Sequence, residues 1–289
     1  MKKKLFASAI MMTGLFFIVA MLYNGPEENI FVKSLDTIFL ILAASSYISY
    51  RSGLNLGYVL LSITIPICAC DTLSSLIISL QTIKESGIEA FWEMSVNLSV
   101  LIMGAILSSI GYFITPKEAD FSKVIPLNYY DILVLLFGFC FWFIWSIIPE
   151  DLLDAFVDPP SLILVTGFLL MSVGASIFRG SQFSVALVDG SVAALLFGIV
   201  IASCFYFASL QDPRSIGPLL AVTLLSSIYG CICYYMSFFV TVKQQTLSKL
   251  SFTTKNWHII EAMAFLIFMI YGPPTIWEAG GLNIAFPNQ

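Results

Sequence analysis

The sequence DPRSIGPLLAVTLLSSIYG, residues 212–230, contains the features that decide the fold. It places two turn-forming pairs, Asp212-Pro213 and Gly217-Pro218, ahead of a long apolar run. Proline costs little near the start of a helix, because its missing N–H would be unpaired at that position in any case. The stretch therefore predicts a turn followed by an apolar helix that begins near Gly217-Pro218.

The same apolar run contains hydroxyl side chains. Thr223, Ser226 and Ser227 lie within it, ahead of a Tyr-Gly pair. A hydroxyl inside an apolar helix needs a partner, either on a neighbouring helix or in a wet path. The run is therefore expected to be a membrane helix that meets other helices or lines such a path.

The chain as a whole is similarly apolar. Of its 289 residues, 58% are hydrophobic and only 11% are charged, and the mean hydropathy is +0.92. A soluble protein of this length needs a charged surface that this composition cannot supply. Backbone groups in lipid must be paired within their own segment, which favours helices over an open sheet. We predict an all-α polytopic membrane protein, and the pI near 4.8 argues against nucleic acid as a partner.

Eight apolar segments approach or exceed the roughly 20 residues that span a hydrocarbon core of about 30 Å. They are 5–23, 35–50, 56–80, 94–114, 131–148, 161–177, 187–210 and 216–240. The first is longer than the apolar part of a signal peptide, which is the alternative, and is predicted to be a transmembrane helix. A further apolar core, Ile259–Tyr271, is short, so an interfacial or re-entrant helix is expected there, with a ninth span as the alternative.

Positive charge alternates between successive connections. Cytoplasmic loops attract Lys and Arg, so the side with more cations is predicted to be cytoplasmic, together with both termini. That side carries Lys2, Lys3, Lys4, Arg51, Lys117, Lys123, Arg179, Lys243, Lys249 and Lys255. The other side carries only Lys33, Lys84 and Arg214, in loops rich in acids.

The two halves of the chain resemble each other. Residues 31–53 and 156–180 both begin Phe-Val, run through an apolar stretch and end at Arg and Gly, and AILSSIGY at 105–112 echoes TLLSSIYG at 223–230. An even number of spans per copy would put both copies in the same orientation. We predict two parallel four-helix units, with chance similarity between apolar helices as the alternative. The units are 1–125 and 126–245, followed by an interfacial segment at 246–289.

Two motifs resemble the MotA/PomA flagellar-stator proteins and their ExbB/TolQ proton-channel relatives. Residues 212–230 are similar to the D-P…GP…LLTTxYG opening of that family's fourth helix, with Ser226-Ser227 in place of the two threonines. DPPSLILVTG at 158–167 is similar to the PSLLIVLGG of its second helix. The family's large cytoplasmic domain, which touches the flagellar rotor, is replaced by the short connections Arg51–Gly57 and Arg179–Val185.

The resemblance implies a subunit of an ion-driven motor or energy-transducing complex in the bacterial inner membrane. In that family a homo-oligomeric ring surrounds single-span partners of the MotB/ExbD kind, and the partner carries an essential protonatable Asp. The coupling ion is H⁺ or Na⁺. Nothing in the sequence indicates enzyme chemistry, a cofactor or a metal site, since nucleotide-binding, nucleophile-elbow and His-rich motifs do not occur.

Acidic residues within apolar segments are candidates for an ion path, because charge at membrane depth is costly. Asp71 lies well inside the third segment, and a proton or cation role and a purely structural role are both open. Asp189 lies nearer the cytoplasmic end of the seventh segment, where an interfacial role is expected.

Hydroxyl and amide side chains are the other candidates for the ion path, with close helix packing as the alternative role. In the second unit they are Ser203, Thr223, Ser226 and Ser227, and in the first unit Asn97, Ser108 and Ser109. The first unit has Leu98-Ser99 where the second has Gly217-Pro218, so a purely structural first unit is one expectation. The turn ahead of the second unit's last helix consists of Pro213, Gly217 and Pro218.

Two other functions fit the same sequence. A secondary transporter with two parallel four-helix halves would account for the repeat and for Asp71, and Pro66 is the one hint of the broken helix that such sites use. A membrane scaffold that has lost conduction is the third possibility.

Overall fold

The computed structural model describes residues 32–86, 100, 103–115, 121, 124–144, 156–209 and 213–247. Side chains are described at 35–78, 100, 103–115, 121, 124–144, 156–197 and 224–247. The regular structure in this part of the chain is entirely helical. The helices are α1 (Val32–Ser52), α2 (Leu56–Ser86), α3 (Met103–Ile114), α4 (Tyr129–Trp142), α5 (Pro159–Arg179), α6 (Phe183–Ser209) and α7 (Pro213–Lys243).

These helices confirm the all-α prediction and coincide with seven of the apolar segments. Three are long and apolar enough to cross a membrane, namely Leu56–Ile78 in α2, Pro159–Arg179 and Leu224–Lys243 in α7. Shorter apolar helices occur at Met103–Ile114, Tyr129–Trp142 and Phe183–Phe197. This length and composition are those of a membrane protein. The expected first span at 5–23 and the expected interfacial segment at 259–271 lie outside the described residues.

Helices α2 and α7 form the centre of the bundle. Their apolar segments are 78% and 72% buried, whereas the apolar segment of α5 is only 17% buried. α2 packs against α1 and α7, and α7 also contacts α4, α5 and α6. α3 lies so close to α2 that a Cβ placed at Gly104 would be 2.6 Å from the Cys68 sulfur. The chemistry of the interior is therefore set mainly by the side chains of α2 and α7.

The second helices of the two expected units end in the same way. α1 and α5 are each 21 residues long and have an arginine in the last turn. Gly53 follows α1 with φ of 71°, and Gly180 follows α5 with φ of 64°. Glycine takes this left-handed conformation without the Cβ clash that other residues suffer, so both helices stop at a glycine C-cap.

Cations at the helix ends gather at one end of the bundle. The Arg51 guanidinium pairs with a carboxylate in the first turn of α4, and Lys243 lies over the ring of Tyr129, which begins that helix. The Ser184 hydroxyl at the start of α6 bonds the Thr246 hydroxyl beyond the end of α7 (2.9 Å), which brings the end of α5 to the same side. This end, called the basic end below, carries Arg51, Arg179 and Lys243. The alternation of charge along the sequence predicts this grouping.

Two expectations about prolines need correction. α7 begins at Pro213, so Gly217 and Pro218 lie in its second turn and not in a turn ahead of it. Pro213 takes the first helical position, where a missing N–H costs nothing. Pro218 removes one backbone hydrogen bond near the start of the helix. α2 continues through Pro66 from Leu56 to Ser86, so the chain has no helix break there.

Candidate functional site

A buried carboxylate lies in the central helix α2. Asp71 is only 7% exposed, within the apolar segment Leu56–Ile78. At about 1.5 Å per residue, Asp71 lies roughly 22 Å along the helix axis from Leu56, which is at the basic end. In a hydrocarbon core of about 30 Å that begins at Leu56, this position is inside the core, about 8 Å from its opposite face. An ionisable side chain at such depth is a functional candidate by default.

A neighbouring helix supplies the hydrogen bond to this carboxylate. The Thr37 hydroxyl on α1 donates to Asp71 Oδ2 (2.5 Å), and Thr37 is itself buried. Ser75, one turn farther along α2, also lies within hydrogen-bonding reach of the carboxylate. Asp36 is exposed and near enough for its charge to act on Asp71. The site therefore combines a buried acid, a hydroxyl donor and a second carboxylate at the surface of the bundle.

The serine pair of α7 lies at the same depth as Asp71. The Cys70 thiol donates to the Ile228 carbonyl across the α2–α7 interface (3.9 Å). Ser226 and Ser227 precede Ile228 by one or two residues, which is within about 3 Å along the helix axis. Both serines are buried. The structure thus brings the acid of α2 and the hydroxyl pair of α7 to one level on adjoining helices.

The two serines of α3 have different surroundings. Ser109 is exposed, and its hydroxyl donates to the Ala105 carbonyl one turn earlier (2.8 Å). Ser108 is buried, and its hydroxyl has no hydrogen-bond partner in the described part of the chain. A buried hydroxyl without a partner costs about 1–3 kcal/mol. Buried polar groups are normally paired with protein or ordered water, so Ser108 and not Ser109 is the candidate for a water contact.

The remaining candidates are placed less completely. Asn97 lies outside the described residues. Ser203 and Thr223 lie within α6 and α7 by their backbone positions. Asp189 is half-buried in the second turn of α6, towards the basic end as expected, and interacts with other groups of the protein.

A polar clamp joins α1 to α4 at the basic end. Arg51 donates to both oxygens of Asp131, through Nε to Oδ1 (2.9 Å) and through Nη2 to Oδ2 (3.2 Å). The Tyr47 hydroxyl donates to Oδ1 (2.7 Å), and the Asn128 backbone N–H donates to Oδ2 (2.9 Å). A two-pronged Arg–carboxylate contact fixes geometry as well as charge. This clamp holds α4 against α1, at the opposite end of α1 from Thr37.

The two motif segments of the sequence, 158–167 and 212–230, touch each other. The Tyr229 hydroxyl on α7 donates to the Phe156 carbonyl and accepts from the Asp158 backbone N–H (3.2 Å). Asp158 is the N-cap of α5, and its carboxylate accepts from the Ser161 backbone N–H (2.8 Å). A side-chain oxygen at the N-cap satisfies an otherwise unpaired backbone N–H. Tyr229 therefore connects the middle of α7 to the start of α5.

Sequence reasoning missed the two residues of α1 that lie beside Asp71. Thr37 and Asp36 lie near the start of α1, and neither residue type marks a site by itself. The short turn between α1 and α2 contains the signal that would have found Thr37. Residues equally distant from such a turn face each other in an antiparallel helix pair, and Thr37 and Asp71 are so placed.

Within the described residues, no group of three His, Cys, Asp or Glu side chains is arranged to hold a metal ion. The arrangement at Asp71 can hold a proton on a carboxylate or offer oxygen atoms to a small cation. Comparison of the chain with protein-family models, curated proteins and solved structures gives no match.

Proposed function

We propose that this chain is an ion-conducting subunit of a MotA/ExbB-like energy-transducing complex in the bacterial inner membrane. The observation that carries the proposal is the buried Asp71–Thr37 pair on a spanning helix, at the depth of the Ser226-Ser227 pair. In the family that these motifs resemble, the residues at the serine positions are threonines that line the ion path. The coupling ion is H⁺ or Na⁺, and the chain has no enzymatic activity of its own.

The proposed layout has eight spans in two parallel units, with both termini in the cytoplasm. The equal lengths of α1 and α5 and their matching glycine caps support the duplication. The gathering of cations at one end supports an orientation with that end in the cytoplasm. The proposed assembly is a ring of these chains around a single-span partner of the MotB/ExbD kind.

The proposed complex does not engage a flagellar rotor in the usual way. The connections from α1 to α2 and from α5 to α6 are short turns. In flagellar stators the corresponding connection is the domain that touches the rotor. The work done by ion flow is therefore passed to another partner, which favours an ExbB-like role in energy transduction.

A secondary transporter is the second candidate. Asp71 finds its hydroxyl partner within its own chain, which favours a self-contained transport site. The unbroken course of α2 through Pro66 speaks against it, because transporter sites near the midplane usually use discontinuous helices. Thermal stabilisation by a solute, lost in an Asp71→Asn variant, would favour this candidate.

The test of the proposed function is purification of the tagged protein from native membranes in mild detergent, with untagged membranes as the control. Mass spectrometry and class-averaged images are then taken of the same sample. We expect a ring that contains a single-span protein with a carboxylate in its membrane segment. A lone monomer or dimer would overturn the proposal and favour the transporter. An unchanged cellular phenotype in both Asp71→Asn and Ser226→Ala would indicate a scaffold.

A further inference from the structure

Several buried polar atoms have no hydrogen-bond partner in the described part of the chain. They belong to α1, α2, α3, α4 and α7, the helices in and around the centre of the bundle. The atoms are Ser45 Oγ, Thr64 Oγ1, Ser74 Oγ, Ser108 Oγ, Trp142 Nε1 and Tyr235 Oη. Polar groups buried in membrane proteins are normally paired, so this concentration needs an explanation.

Four of these atoms lie at one level of the bundle, called the hydroxyl level below. α1 and α2 are antiparallel and joined by a short turn, and Thr37 meets Asp71 farther along. Ser45 lies about midway between Thr37 and the turn, so it is level with Thr64 on α2. Thr64 is two helical turns from Asp71, about 10 Å nearer to the basic end.

Contacts on α3 and α7 bring two more atoms to the hydroxyl level. A Cβ at Gly104 on α3 would lie 3.8 Å from Thr64 Cγ2, and Ser108 follows Gly104 by one turn. On α7, Tyr235 lies two turns nearer to the basic end than Ile228, which meets Cys70. The Tyr235 ring is itself fully buried. The hydroxyl level therefore consists of Ser45, Thr64, Ser108 and Tyr235, one from each of four helices.

Other serines of α2 and α3 show that a backbone carbonyl of the same helix can accept from a serine hydroxyl. Ser62 on α2 donates to the Tyr58 carbonyl one turn earlier (2.9 Å), and Ser109 on α3 does the same to Ala105 (2.8 Å). This back-bonding is the usual way in which a helical serine is satisfied in an apolar setting. The serine and threonine hydroxyls of the hydroxyl level form no such bond in the described part of the chain. Ordered water is a usual partner for buried polar groups of this kind.

We infer that a hydrated path joins Asp71 to the basic end through the hydroxyl level, and that protons reach and leave Asp71 along it. The inference rests on the proposed ion-conducting function and names the residue that binds the transported proton. That residue belongs to this chain, in addition to the acid that the stator family has on its single-span partner. The first unit is then a conducting unit and not only a structural copy.

The charges around Asp71 suit a site that exchanges protons. α1 presents Asp36, an exposed acid next to Thr37, which bonds Asp71. α3 presents no charged side chain in Met103–Ile114, and α7 presents only thiols, hydroxyls and apolar groups from Leu224 to Val242. No described cation therefore neutralises Asp71 permanently, as Arg51 does for Asp131.

Each transit moves one proton and leaves the protein unchanged. A hydronium ion in the path passes a proton to the Asp71 carboxylate, which becomes a neutral acid and leaves a water molecule behind. The acid then passes the proton to water on the opposite side and returns to the carboxylate form. The Thr37 hydroxyl donates to the carboxylate and rotates to accept from the acid, because a hydroxyl serves both roles. The transmembrane proton gradient supplies the driving force.

Infrared spectroscopy of the full-length protein in lipid tests this inference. The C=O stretch of the neutral acid is assigned to Asp71 by its loss in Asp71→Asn, a variant that keeps an acceptor for Thr37. We expect this band to shift soon after transfer to D₂O, because water reaches the acid. In a Ser45→Ala/Thr64→Val/Ser108→Ala variant the shift should be severalfold slower. The matched control, Ser62→Ala/Ser109→Ala, should exchange like the wild type.

Three results would overturn the inference. The first is the absence of an Asp71 acid band at every pH at which the protein stays folded. The second is a band that never exchanges in the wild type. The third is equal exchange in the triple variant and the wild type. Circular dichroism checks that the variants fold, and single Ser45→Ala and Ser108→Ala variants replace the triple one if it does not. The measurement needs no partner protein, so it can succeed or fail independently of the search for a ring.

Discussion

Replacing a single glycine with alanine should separate α2 from α3. The Gly111 backbone faces the start of α2, where a Cβ would lie 2.9 Å from the Gly57 carbonyl oxygen and 3.1 Å from Leu60 Cβ. These are contacts with backbone atoms and with the root of a side chain, which no rotamer change can relieve. Small residues allow membrane helices to approach in this way, so Gly111→Ala forces the two helices apart.

The size of the effect follows from two opposing terms. Overfilling a packed interface costs about 1–3 kcal/mol. In the opposite direction, alanine in a helix stabilises the protein by about 0.5–1 kcal/mol relative to glycine, because alanine loses less conformational entropy on folding. The expected net loss for Gly111→Ala is therefore about 1–2 kcal/mol of unfolding free energy.

Gly167 on α5 provides the matched control. A Cβ placed there meets no heavy atom of the described residues within 4 Å. Gly167→Ala should therefore leave the protein unchanged or stabilise it, by up to about 1 kcal/mol. Thermal unfolding of the two variants in one detergent, followed by circular dichroism, makes the comparison. If the Gly111→Ala variant melts at or above the wild-type temperature, the result contradicts the close packing of α2 against α3 at Gly111.

The other predictions concern the clamp at the basic end and the contact between α7 and α5. Arg51→Ala and Asp131→Ala should each lower the melting temperature, and the double variant should lose less than the sum, since each change already breaks the bidentate pair; additive losses would contradict this. Arg179→Ala, at an exposed position, is the control. Tyr229→Phe removes the hydroxyl that serves the start of α5 and should cost about 0.5–1.5 kcal/mol. Asp158→Ala removes the N-cap and should cost about 0.5–2 kcal/mol; unchanged melting of both variants would refute the role given to this contact.

Much of the fold follows from the sequence because the lipid limits the choices. Continuous apolar runs in a chain with few charges leave the helix as the available element, and the boundaries of α1, α2, α5 and α6 fall near the ends of these runs. α7 starts earlier than the sequence predicts, because Gly217-Pro218 is typical of a break and the helix runs through it. Proline in the second turn of a helix removes one hydrogen bond and crowds the carbonyl four residues earlier, and the 31-residue helix continues through it.

The candidate site was predictable only in part. Asp71 stands out by its depth in an apolar run, but its partner depends on which residue of another helix faces it. The difference between Ser108 and Ser109 likewise depends on the direction of each side chain, since one is buried and the other exposed. Residue type gives no signal for such differences. The Arg51–Asp131 clamp joins residues far apart in the chain, and both looked like ordinary loop and helix-end charges.

The measurement that tests the central claim most directly is proton flux in liposomes that contain the complex purified from native membranes. The flux is driven by an imposed membrane potential and followed with a pH-sensitive dye inside the vesicles. We predict clear proton uptake by the wild type, its loss in Asp71→Asn, and retention in Ser109→Ala, which alters an exposed back-bonded hydroxyl. Equal uptake by the wild type and Asp71→Asn would contradict the claim that Asp71 binds the conducted ion.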